Sequence, residues 1–90
     1  MDFFYVVTQS WIDSNGNPGN QGFFFKGVVD GKPAENRAAS KYHDILRTGA
    51  VSDDQYCSAI VMRSDGAIVK PYEYYDRRVY EEVPANNSEE

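Results

Sequence analysis

The chain holds one cysteine, Cys57, and one histidine, His43, and neither has the companions that site chemistry needs. A lone cysteine excludes an intramolecular disulfide and leaves no second thiolate for a zinc site, so a single hydrophobic core must carry the stability. It also points to a reducing compartment. A lone histidine works as a general base only when a carboxylate orients it. Asp44 sits about 100° away around a helix, and Arg47, one turn on, has the wrong charge. His43 therefore reads as a packing or surface residue, and Cys57, set in a strand with no base to lower its pKa, as a small buried hydrophobe.

Long apolar runs are missing as well. Met1-Asp2 leads straight into Phe3-Phe4-Tyr5-Val6-Val7, with no basic segment before it and far fewer than the ~20 apolar residues of a membrane span. A soluble, cytoplasmic chain that makes no membrane contact is expected. Nor is there a basic excess: nine Lys and Arg face fourteen Asp and Glu, a net charge of −5. Four of the acids, Glu81, Glu82, Glu89 and Glu90, lie beyond residue 80, so the first 80 residues balance to −1. That body lacks the positive stripe needed to track phosphates, which excludes bulk nucleic acid as a partner. Residues 81–90, acidic and polar, are expected to be a disordered tail on a domain spanning residues 1–80.

What is present is an order of elements. Ninety residues with 41% hydrophobic content make one small domain, which buries roughly 60 to 65% of its unfolded surface. Phe3, Tyr5 and Val7 alternate with Phe4, Val6 and Thr8, so both faces of the first strand are apolar and it belongs inside a sheet. Residues 13–20, Asp-Ser-Asn-Gly-Asn-Pro-Gly-Asn, read as a mobile hairpin loop with Trp11 and Ile12 at its base. A second strand is expected from about Gly22 to Val29, with Phe23, Phe25 and Val29 on one face and Phe24, Lys26 and Val28 on the other.

Pro33 suits a first helical turn, and Ala38, Tyr42, Ile45 and Leu46 recur at helical spacing up to Gly49, whose freedom at positive φ suits a helix end. A strand over Tyr56 to Arg63 then turns through Ser64-Asp65-Gly66 into a last one, Ala67 to about Tyr75, which Pro71 marks as an edge strand or a bulged one. The whole predicts an α+β fold, ββαββ, with a four-stranded, mainly antiparallel sheet packed by one helix.

Three segments carry a resemblance. Tyr5-Val6-Val7-Thr8-Gln9, the helix segment Ala39-Ser40-Lys41-Tyr42-His43-Asp44-Ile45-Leu46, and Ala59 to Lys70 together resemble small uncharacterised proteins of Gram-positive phages and prophages, over about 70 residues. The chain departs from that group in its Asn/Gly loop and its Tyr-rich last strand. The resemblance implies a mobile-element origin and a life in the host cytosol. It carries no activity and no functional residues.

Among the remaining patterns, Asp13-x-Asn15-x-Asn17 opens like a calcium loop and then fails. Pro18 stands where a glycine is needed and Phe24 where a bidentate glutamate is needed. No metal and no cofactor is expected. The densest cluster is Tyr72, Tyr74, Tyr75 and Tyr80 with Arg77 and Arg78, interleaved with Glu73, Asp76, Glu81 and Glu82. Tyr and Arg are favoured at protein interfaces, while tyrosine also suits a half-exposed strand on propensity alone.

One helix covers one face of a four-stranded sheet, yet strands 1 and 2 place aromatic groups on both. The Trp11 loop, the Val79-Tyr80 segment, a second copy of the chain or a partner protein must cover the second face. The preferred reading is a non-enzymatic protein that binds a second copy of itself as a homodimer, or a host protein, with Phe24, Tyr72, Tyr74, Tyr75, Arg77, Arg78 and Tyr80 as interface candidates. The alternative is a pocket at a dimer interface in which Arg77 or Arg78 grips a small anionic, nucleotide-like ligand.

Overall fold

A computed structural model describes residues 2–78 of the chain. Strands β1 (Phe4–Ile12), β2 (Pro18–Lys26), β5 (Tyr56–Arg63) and β6 (Ile68–Asp76) form one antiparallel sheet in the order β2-β1-β5-β6. A small ribbon, β3 (Val28–Val29) with β4 (Lys32–Pro33), precedes the single helix α1 (Ala34–Ala50), which packs on one face of the sheet. The expected α+β architecture is present. Among the described residues no helix is long and apolar enough to cross a membrane.

The two-sided apolar strand, β1, is interior, and β6 is both an edge strand and bulged. Its register against β5 shifts between Ala59 and Val61 and again between Val61 and Met62, close to Pro71. The buried stripe of α1 is Ala34, Ala38, Tyr42, Ile45 and Gly49. It lies over Tyr5 and Val7 of β1 and over Cys57, Ala59 and Val61 of β5, with Phe23 and Phe25 of β2 half-buried at the flank. Gly49 meets the small Cys57 at one end of this contact, so helix and sheet come close there, and the large Tyr42 fills the middle.

Three local expectations are corrected. Gly49 does not close the helix in a left-handed conformation. It lies inside α1, where the helix crosses Cys57, and the chain leaves the helix at Val51 instead. Strand 2 does not run from Gly22 to Val29. It starts at Pro18 and ends at Lys26, because Gly27 turns at φ +70° and takes Val28 and Val29 out of the sheet. Asp30 and Gly31, at φ 51° and 76°, then form a left-handed turn that returns the ribbon.

The Asn/Gly segment is likewise not all loop. The turn is residues 13–17, closed by Asp13 N–H to Asn17 O at 3.0 Å, and the Asp13 carboxylate accepts the Asn15 and Asn17 amides at 2.9 Å each. Those bonds, the Asn17 amide first, hold the Asp13 carboxyl below its usual range. From Pro18 on, the chain pairs with β1, and Trp11 lies so closely over Gly19 that a Cβ there would stand 2.5 Å from its ring.

Two arginines tie the helix to the sheet. Arg37 donates to the carbonyls of Lys26 (2.9 Å), Gly27 (2.7 Å) and Lys32 (3.1 Å), fixing the end of β2 and the ribbon to the first turns of α1. At the other end Arg77 donates to the carbonyls of Gly49 and Asp54, meeting the negative end of the helix dipole.

The β5–β6 turn has its own ion pair. Asp65 accepts Arg63 Nε and Nη2 at 2.9 and 2.8 Å and the Ala67 amide at 3.2 Å, while Gly66, at φ 92°, supplies the left-handed position. The Arg63 guanidinium, then the amide, lowers the Asp65 carboxyl to about 2. A depressed carboxylate contributes stability that is complete above its ordinary value of 3.8 and is lost as pH falls through about 2. The difference in thermal midpoint between the wild-type chain and Asp65→Asn should therefore be greatest above pH 4 and shrink toward pH 2. A constant difference across that window would show that the pair adds nothing.

Candidate functional site

The face away from α1 is assembled by register. Phe24 of β2, Val6 of β1, Met62 of β5 and Ile68 of β6 stand opposite one another and make an apolar row across all four strands. Phe4 joins its β2 end, with its ring 4.9 Å from that of Phe24. Toward the other end of the sheet Tyr56, Tyr74 and Tyr72 stack in sequence, with centroids 6.0 and 5.6 Å apart.

Six of these side chains are exposed, Phe24 at 61%, Ile68 at 62% and Tyr74 at 55% among them, while Val6 and Tyr56 are half-buried. On the helix side the corresponding Val7, Ala59 and Val61 are fully buried. A small protein that leaves six large apolar or aromatic groups on one flat face presents a surface suited to association.

The structure divides the residues singled out in the sequence. Phe24, Tyr72 and Tyr74 lie on the open face, and Arg78 extends over the Tyr56 ring at 5.5 Å while pairing with Asp76 at 2.8 Å. Tyr75 stands on the opposite face, beside Gly49, with the Arg77 guanidinium 5.8 Å from its ring. Arg77 has its donors on the Gly49 carbonyl of α1 and on the Asp54 carbonyl beyond it. Tyr80 lies outside the described residues, as does the tail.

Tyr56, Met62 and Ile68 were not picked out by sequence reasoning. The signal was there in the strand alternation about the Ser64-Asp65-Gly66 turn, which places Met62 and Ile68 as a facing pair.

The scarce groups stay apart. His43 is exposed on α1, edge-on to Tyr42 at 5.2 Å, and shares a shallow depression with Ser40, Asp44 and Arg47, the last two of which pair with each other. Cys57 is 2% exposed, and burial, then Asp54, pushes its thiol up and away from the reactive thiolate. Among the described residues no group of three or more His, Cys, Asp or Glu side chains could hold a metal ion. No protein-family model matches the chain, and no curated protein and no solved structure matches it either.

Proposed function

We propose that the chain is a non-enzymatic protein-interaction module of phage or mobile-element origin, whose contact surface is the open face of the sheet. The apolar row Phe24–Val6–Met62–Ile68, flanked by stacked tyrosines and left uncovered among the described residues, carries the reading. An inhibitor of a host enzyme or defence protein and a virion accessory are its concrete forms, with a second copy of the chain as the other possible occupant. The anionic-ligand reading has less support, since Arg77 is held by carbonyls and Arg78 by Asp76.

Met62→Lys/Ile68→Lys tests it. Both positions are exposed, so the fold should tolerate the change. Burying two unpaired ammonium groups in an interface costs several kcal/mol, so affinity should fall at least about 100-fold. Solution mass at several concentrations, together with capture from a Gram-positive host lysate, reads this out. A dimer or a stoichiometric captured protein should be lost in the variant. A wild-type chain that neither self-associates nor retains a partner, or a variant that retains the same one, overturns the reading.

A further inference from the structure

The two edges of the sheet are built differently. β6 carries Pro71, the register shifts, and the charged Lys70, Glu73 and Asp76, all devices that discourage another strand from pairing. β2 has none of these between Pro18 and Lys26. Its residues 19–25 are uncharged and pair with β1 in unbroken register.

Antiparallel ladders alternate, so the hairpin fixes which backbone groups of β2 point away from β1. With Asp13 N–H bonded to Asn17 O, the hydrogen-bonded pairs are Trp11 with Gly19, Gln9 with Gln21, Val7 with Phe23 and Tyr5 with Phe25. Asn20, Gly22, Phe24 and Lys26 turn outward. The Lys26 carbonyl bears this out, because it accepts Arg37 from outside the sheet. The other three residues offer N–H and C=O groups to which no bond is made among the described residues.

Charge selects the occupant. On the helix side of this edge Lys41 Nζ stands 4.3 Å over the Phe23 ring, and the Arg37 guanidinium 5.7 Å from the Phe25 ring. Lys32 joins Phe25 and Arg37 in lining a cleft of about 470 Å³. Lys32, Arg37 and Lys41 form no ion pair among the described residues. On the open side the edge ends in exposed Phe24.

We infer that the β2 edge binds an extended peptide as a fifth strand, with alternate side chains acidic toward α1 and apolar toward the open face. The inference rests on the protein-binding reading above and gives that partner its chemistry. A second copy fits less well. Two-fold pairing about Gly22 sets the two Lys41 side chains on the same face of the joined sheet, near Phe23 rings two residues apart.

The probe is the capped, fluorescently labelled hexapeptide Val-Glu-Val-Glu-Val-Glu, compared with Val-Lys-Val-Lys-Val-Lys, by anisotropy and amide NMR. The acidic peptide should bind at least about tenfold more tightly, more weakly at high salt, and should shift and protect the amides of Asn20, Gly22 and Phe24. Gly22→Pro removes an outward N–H that the β1 ladder does not use, at a position where a Cβ meets only Val6 Cγ1 at 3.9 Å. It should lose binding about tenfold or more. Should that variant fail to fold, Lys41→Glu carries the test, since it should shift the preference toward the lysine peptide.

No binding of the acidic peptide, equal binding of both peptides, or an unchanged preference in Lys41→Glu overturns the inference. So does protection of those three amides in a peptide-free dimer, which would give the edge to a second copy. Met62→Lys/Ile68→Lys should leave the peptide preference intact, so a failed edge and a failed open face are told apart.

Discussion

Gly49→Ala is expected to lower the thermal midpoint by roughly 8–16 °C, although alanine is the better helix former. On propensity alone the substitution should gain up to about 1 kcal/mol. The added methyl, however, would lie well inside contact distance of Cys57 Sγ, 3.4 Å from Cys57 Cβ and 3.8 Å from Tyr75 Cδ2. Cys57 is buried in a central strand and cannot swing clear, so α1 must lift from β5. Overpacking of this kind costs about 1–3 kcal/mol, occasionally more, so at the upper end of that range, less the propensity gain, the net loss should be about 2 kcal/mol. A domain of this size holds only about 5–10 kcal/mol in all, and each kcal/mol moves its midpoint by about 4–8 °C.

The cause is testable separately from the loss. Cys57→Ala removes the sulfur that blocks the methyl, so Gly49→Ala/Cys57→Ala should be more stable than the sum of the single effects predicts, by at least about 1 kcal/mol. Strictly additive losses would mean that Gly49 matters for some reason other than its contact with Cys57.

That glycine also shows where the sequence stops being readable. A glycine near the end of a helical pattern looks like a helix stop, and only the strand packed beneath it shows that it is a spacer. The same limit applies to Arg77. As a basic residue beside tyrosines it resembles a ligand grip, but the carbonyls it caps belong to residues 49 and 54, brought to it by packing. Gly27 is a local case: a run of β-branched and aromatic residues on both sides hides the point at which the chain leaves the sheet.

The legible parts were those set by alternation and by turn chemistry. β5 spans Tyr56–Arg63 as expected, because a glycine-containing turn pins its end. β1 is interior because both its faces are apolar, and the edge position of β6 follows from Pro71. The open face was legible as a surplus of apolar groups, and the register was needed to say which groups lie on it. Pro18-Gly19-Asn20 pairs despite poor strand propensity, since the Asp13 turn sets the register and Trp11 covers Gly19.

Tyr42→Ala should be comparably damaging, and Tyr42→Phe mild, because the side chain does two separable things. Its ring fills the space between Ala38 and Ile45 over the sheet, at 3% exposure, and no smaller neighbour can close that gap. Truncating a buried aromatic costs about 3–5 kcal/mol, which would leave the domain close to unfolding near 37 °C. Its hydroxyl donates to the Pro71 carbonyl at 2.7 Å and so holds β6 against the helix at the bulge. Loss of that bond alone should cost about 1 kcal/mol, with an unchanged denaturant m-value.

Burial, and then the nearby Glu73, raises the Tyr42 phenol above its ordinary value of 10. A group raised in the folded state contributes stability that is complete below the unfolded value and is lost as pH rises through the folded one. The wild-type chain should therefore lose stability above pH 10, and the Tyr42→Phe chain should lose less. Part of the decline should persist in that variant, because Tyr5 is raised too, by burial and by its hydrogen bond to Glu35. Equal alkaline slopes in the two chains would mean that Tyr42 ionises as freely folded as unfolded, and that its hydroxyl is not committed to Pro71.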